Sequence, residues 1–105
     1  MNSEYDSYDV RQYKRMLNLI SSYESVEISF DRLVNDIEAL VLSLEDTTQD
    51  EQNELLSIWG GLEEILANSL DRGDRTFVDV NKIEINRVLS HLKEKIMSRI
   101  AHAEK

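Results

Sequence analysis

Cysteine and proline are absent from this chain of 105 residues, and glycine occurs only three times. The absence of cysteine excludes disulfides, thiolate zinc sites and thiol catalysis. The scarcity of proline and glycine argues against a chain of several modules joined by linkers. The longest apolar runs, such as Ala39–Leu42, are far too short to span a membrane. With 41% apolar residues, the sequence predicts one compact domain, residues 1–105, around a single core.

Basic residues are also scarce, since 12 Lys and Arg stand against 21 Asp and Glu, for a net charge of -9. This balance argues against direct binding of nucleic acid or of an anionic membrane surface, because both need clustered cations. The opening segment, Met1–Asp6, is acidic and polar, whereas a secretory signal begins basic and then becomes apolar. We therefore expect a cytoplasmic protein.

Apolar residues recur at steps of three and four along the whole chain, which predicts amphipathic helices. Segment 21–25 predicts a turn and segment 45–50 a loop, and a third helix is expected from about Asp50 to Leu70. Four such helices with short connections predict an all-α fold, an antiparallel four-helix bundle. The predicted inner stripes are Val10, Tyr13, Leu17 and Ile20; Phe30, Leu33, Val34, Ile37, Leu40, Val41 and Leu44; Leu55, Trp59, Leu62 and Leu66; and Ile85, Val88, Leu89, Leu92, Ile96 and Ile100.

The helix ends have their own signals, because Ser and Asp side chains cap N-termini and glycine accepts the left-handed C-terminal position. Val26–Phe30 alternates apolar and polar residues as a strand does, but one short strand lacks a partner, so we favour a turn there. The predicted caps are Asp6, Ser7 or Asp9 for the first helix, Ser29 for the second, Gly73 at the end of the third and Asp79 for the fourth.

Residues with catalytic or metal-binding chemistry are not brought together by this pattern. His91 and His102 are eleven positions apart, about 16 Å along a helix, so one metal ion cannot bind both. Neither follows a glutamate at the spacing of di-iron bundles, and the inner stripes contain no carboxylate. A calcium loop with Gly73 in sixth position would place Leu70 and Arg72 at ligand positions. We therefore expect no enzyme activity, no metal and no cofactor.

Negative charge is concentrated in the middle of the chain. Residues 24–74 contain fourteen acids and two bases, a net charge of -12, whereas residues 1–23 are neutral and residues 75–105 have a net charge of +3. One interpretation is solubility, with pairing of some acids to the basic last helix. The other is a surface complementary to a basic partner, which accelerates association.

The candidate partner-binding residues lie before, along and after the third helix. The Gly60–Gly61 pair within it indicates a kink or close packing on a neighbouring helix, or a shallow groove for a partner's backbone. Trp59 is expected to be a core anchor. The two acidic ends of this helix are about 30 Å apart and are not expected to form one small site. The candidates are Glu45, Asp46, Asp50, Glu51 and Glu54 at its start, the outward residues Ser57, Gly61, Glu64 and Asn68, and Asp71 and Asp74 at its end.

Two stretches, 19–33 and 59–73, resemble small α-helical bacterial immunity proteins of contact-dependent growth inhibition and colicin-like systems. In the first, an apolar helix ends at the aromatic Tyr23, and Ile28-Ser29 starts the next helix. The second has the pattern Trp-x-x-Leu-Glu-x-Ile from Trp59 and closes in Leu-Asp-Arg-Gly. Together they cover about 30 of the 105 residues. The chain departs from the pattern at Val26, where glycine is commoner, and at the glycine pair.

The resemblance implies a protein that binds the C-terminal toxic domain of a cognate effector and blocks it. Many such toxins are nucleases, whose basic clefts hold phosphates, and an acidic inhibitor is complementary to such a cleft. The alternative is a non-catalytic regulatory or adaptor bundle that binds another protein. Tyr5, Tyr8 and Met97 are candidates for a homodimer patch, or for ordinary boundary residues.

Overall fold

The computed structural model describes residues 7–72 and 81–103, with the backbone alone for residues 70–72. Within these ranges the chain is all-α, and no strand is present. The predicted fold class is confirmed. The helices of the described part of the chain are α1 (Tyr8–Glu24), α2 (Phe30–Leu42), α3 (Gln49–Arg72) and α4 (Lys82–Ala103). The predicted caps Gly73 and Asp79 lie outside the described residues.

Side-chain caps set where the first three helices begin. The hydroxyl of Ser7 accepts a hydrogen bond from the main-chain N–H of Val10 at 3.2 Å. Ser29 does the same for the N–H of Arg32 at 3.3 Å. Both hydroxyls were predicted caps, and each satisfies an N–H that has no acceptor within its helix. Thr48 precedes α3, and its hydroxyl oxygen accepts the N–H of Glu51 at 3.2 Å.

The first helix is longer than predicted. A turn was expected from Ser21, but α1 continues to Glu24, so that part of the prediction is wrong. The extra turn of helix brings the ring of Tyr23 to 5.8 Å from that of Phe30, at the first position of α2. Packing of this aromatic pair on the core outweighs the weak helix propensity of the two serines. The alternating segment after it forms a turn, as expected.

The helices form a closed ring of contacts around one core. Helix α1 packs against α2 and α4, and α3 packs against the same two helices, so α1 and α3 are diagonal. Trp59 packs on the core as expected, and its indole N–H donates to the carbonyl of Val34 at 2.8 Å. Every predicted stripe residue is buried or packs half-buried against the core, and Met16 and Ile65 are buried in addition. Twelve large side chains of the described residues are fully buried: Met16, Ile20, Leu33, Val34, Ile37, Val41, Leu55, Leu62, Ile85, Leu89, Leu92 and Ile96.

The two adjacent glycines of α3 lie in different environments. A Cβ atom built on Gly61 would lie 3.1 Å from Cγ2 of Val88 on α4, so Gly61 permits close approach of these two helices. A Cβ atom on Gly60 would have no neighbour within 4 Å. The expectation that Gly61 points outward is therefore wrong, and close helix packing accounts for it. Gly60 is free of such a constraint.

Candidate partner-binding surface

A buried carboxylate on α1 holds the loop between α2 and α3, residues 43–48. Asp9 is only 5% exposed. Its Oδ1 accepts the main-chain N–H of Glu45 at 2.8 Å, and its Oδ2 accepts the N–H of Asp46 at 2.8 Å. Oδ2 also accepts the hydroxyl of Thr47 at 2.8 Å. These charge-assisted bonds are about twice as strong as neutral ones and satisfy both oxygens of the buried group.

A tyrosine extends this network to the adjacent turn of α1. The hydroxyl of Tyr13 lies 2.7 Å from Oγ1 of Thr47. Because the single hydroxyl proton of Thr47 is directed to Asp9, Tyr13 is the donor in this contact. The sequence prediction of stripes without carboxylates is therefore wrong at Asp9. A signal was present, since Asp9 precedes Tyr13 by four positions and Met16 by seven and so shares their inward face.

The fixed loop presents acidic side chains to solvent. The side chains of Glu45 and Asp46 are exposed, although their main-chain N–H groups are bound by Asp9. Asp50 is exposed in the first turn of α3. None of these three carboxylates forms an ion pair with any residue in the described ranges. We refer to Glu45, Asp46 and Asp50 as the acidic surface.

Glu51, also predicted as a contact residue, has a structural role at the start of α3. Its Oε1 accepts the main-chain N–H of Thr48 at 3.1 Å and the Thr48 hydroxyl at 3.0 Å. In return, Oγ1 of Thr48 accepts the N–H of Glu51 at 3.2 Å. This pair is a capping box. The hydrogen bonds from the Thr48 backbone and side chain lower the pKa of Glu51 below its ordinary value of 4.5.

Glu54 is engaged by two cations of α4. Its Oε1 lies 2.6 Å from Nη2 of Arg99, and its Oε2 lies 3.5 Å from Nζ of Lys95. The hydrogen bond from Arg99 and then the charge of Lys95 lower the pKa of Glu54 below 4.5. The Arg99 side chain is 11% exposed, and its Nη1 has no hydrogen-bond partner among the described residues. The charge of Glu54 is therefore compensated within the bundle.

The remaining candidates do not form one cluster with the acidic surface. Ser57, Glu64 and Asn68 are exposed along α3, whereas Gly61 packs against α4. Asp71 belongs to the last turn of α3, twenty-one positions beyond Asp50, and only its backbone is described. Asp74 lies outside the described residues. The two acidic ends of α3 are thus separate, as expected.

A groove of about 390 Å³ lies between α1 and α2. Its lining includes Leu19 and Leu40 together with the charged residues Arg15 and Asp36. Asp36 pairs with Arg32 at 3.3 Å, and Arg15 donates to Gln12 at 3.4 Å. Asp36 and Arg15 both have partners on their own helices. Among the described residues that line it, the groove therefore has no exposed charge without a partner, which distinguishes it from the acidic surface.

Residues 7–72 and 81–103 contain no group of three or more Asp, Glu, His or Cys placed to hold a metal ion. None of their helices combines the length and the apolar character needed to cross a bilayer. His91 and His102 are both exposed on α4.

Comparison with known proteins adds no relative. No family model matches the chain, and no curated protein and no solved structure is significantly similar to it.

Proposed function

We propose that this protein is an immunity protein, a stoichiometric inhibitor that binds and neutralises the toxic domain of a cognate bacterial effector. The observation that carries the proposal is the acidic surface itself. Glu45 and Asp46 are exposed and unpaired among the described residues, yet their backbone is fixed by the buried carboxylate of Asp9. The resemblance of stretches 19–33 and 59–73 to small helical immunity proteins supports the same function.

A fixed acidic loop suits recognition of a basic partner. Carboxylates that are already in place need not be ordered on binding, so less conformational entropy is lost at the interface. Carboxylates without ion-pair partners at one end of the bundle raise the rate of association with a cation-rich cleft by about 10- to 1000-fold. A nuclease domain offers such a cleft, because its active site must hold phosphates. The proposed partner is therefore a basic toxin domain, and a nuclease domain is the specific candidate.

The surface proposed for this contact is narrower than the sequence candidates. Glu51 caps α3 and Glu54 pairs with Arg99 and Lys95, so both contribute mainly to the bundle. Asp50 remains exposed beside the loop. We therefore assign the steering of the encounter to Glu45, Asp46 and Asp50.

Co-expression with the toxic domain encoded immediately upstream tests the proposal. The unchanged chain should restore growth and form a 1:1 complex at about 150 mM salt, close to physiological ionic strength. Persistent toxicity together with no complex would overturn the proposed function.

The role of the acidic surface is tested by association kinetics. The variant E45K/D46K should associate about tenfold more slowly, with a weaker salt dependence. The control E63K/E94K has the same net charge but reverses two exposed carboxylates on α3 and α4. Its association rate should change less than threefold. Equal rates for the two variants would show that net charge, and not this surface, governs the encounter.

A further inference from the structure

Val26 has a backbone conformation that favours glycine. It follows α1 with φ of 61°, and it is the only non-glycine residue with positive φ in the described ranges. The N–H of Val26 donates to the carbonyl of Tyr23 at 3.0 Å, and the N–H of Glu27 donates to the carbonyl of Ser22 at 2.8 Å. These two bonds define a Schellman motif with Val26 at its left-handed position. A β-branched residue is strained there.

No packing within the described residues accounts for a valine at this position. Its side chain is 87% exposed, the largest value among the exposed large apolar residues of the described chain. It therefore adds little to the core, while its backbone is less stable than that of glycine. Where a local rule is broken without a gain in packing, the gain is expected at a functional contact.

The turn presents this valine in a fixed direction. Besides the two hydrogen bonds, the rings of Tyr23 and Phe30 meet across the turn at 5.8 Å and join the ends of α1 and α2. Both rings also pack on the core. An exposed methyl pair on a rigid apex is preorganised for insertion into a pocket, since little entropy is lost when it binds.

The charges beside the apex indicate what surrounds that pocket. Glu24 and Glu27 flank Val26, and both are exposed. Glu24 pairs with Lys93 of α4 at 2.9 Å, whereas Glu27 has no ion pair with a described residue. A partner surface that receives Val26 thus meets a carboxylate at the rim, and its complement is an apolar pocket bordered by Lys or Arg.

We propose that Val26 is a contact residue that inserts into a small apolar pocket with a basic rim on the toxin domain. This proposal rests on the proposed function and deepens it. Helix α2, with 13 residues, separates Val26 from the acidic surface by about 20 Å. An interface of about 800 Å² per partner is roughly 30 Å across, so one domain can reach both ends of α2.

Three variants of the full chain, each titrated with the toxic domain encoded upstream, test the contact. V26G removes the side chain and the strain, so the unfolding midpoint should rise by about 5 °C. Its affinity for the domain should fall at least tenfold. V26T keeps the β-branch and the strain but replaces a methyl with a hydroxyl. It should leave the unfolding midpoint unchanged and weaken binding at least fivefold. The control M97Q replaces another exposed apolar residue and should bind as the unchanged chain does.

The outcomes separate the two proposals. If the unchanged chain does not bind the domain, the proposed function and this inference are both wrong. If the unchanged chain binds the domain, and V26G and V26T bind it as tightly as the unchanged chain does, then Val26 is not a contact residue. The proposed role of the acidic surface is unaffected by that result. If M97Q weakens binding as much as V26T, the effect is general to surface apolar residues, which also overturns the assignment.

Discussion

The carboxylate of Asp9 accepts the main-chain N–H of Glu45 at 2.8 Å across 36 positions of sequence. This bond joins the first turn of α1 to the loop that leads into α3. Asp9 is buried and Glu45 is exposed. The carboxylate of Asp9 therefore fixes the backbone of Glu45, whose own carboxylate remains accessible to a partner. Stability and the proposed recognition are therefore linked through a single side chain.

Replacing Asp9 should destabilise the protein more than replacing any carboxylate of the acidic surface. D9A leaves the N–H groups of Glu45 and Asp46 and the hydroxyl of Thr47 without their acceptor. The expected loss of unfolding free energy is about 3 kcal/mol, measured by urea denaturation. The exposed control D50A should lose less than about 1 kcal/mol. Similar losses for the two variants would show that the buried network does not stabilise the loop.

The capping box of α3 should be measurable on its own. T48A removes the oxygen that accepts the N–H of Glu51 and also removes the hydroxyl donor to its carboxylate. We expect a loss of about 1 kcal/mol in the unfolding free energy, with T48S close to the unchanged protein. Far-UV circular dichroism during denaturation is the measurement. A loss for T48S equal to that for T48A would contradict the capping role of the hydroxyl.

The stability supplied by Glu54 should depend on pH. Because Arg99 and Lys95 lower the pKa of Glu54 below 4.5, its contribution is fully present above that value. It disappears as the pH falls through the lowered folded-state pKa. The unfolding midpoint of E54Q should therefore lie below that of the unchanged chain at pH 7, and the difference should close in strong acid. E64Q, exposed on the same helix, is the control and should show no such difference at pH 7.

The two adjacent glycines of α3 should respond differently to the same substitution. G60A should stabilise the protein by about 1 kcal/mol, because alanine is the better helix former and the new methyl meets no neighbour. G61A should gain less or lose stability, since its Cβ would lie 3.1 Å from Val88. Thermal unfolding of the two variants tests this difference. An equal gain at both positions would mean that α3 and α4 can separate without cost.

Local patterns were sufficient for most of the helices. Ser29 caps α2 as predicted, because a cap depends on groups within three residues of one another. The apolar period predicted the bundle, since steps of three and four place side chains on one face. Ser21 shows the limit of this reasoning. The apolar pattern breaks at residues 21–25, which predicted a turn, but packing of Tyr23 against Phe30 extends α1 to Glu24.

The candidate surface was predictable in its charge but not in its organisation. The acids of residues 45–54 are visible in the sequence, yet they divide among an exposed loop, a capping box and an ion pair with α4. The sequence by itself determined the all-α fold, the apolar residues of the inner faces and the location of the negative charge, because these depend on neighbouring residues. Only the tertiary structure decided that Asp9 holds the loop, that Gly61 meets Val88 and that Glu54 is neutralised, because each contact joins distant segments.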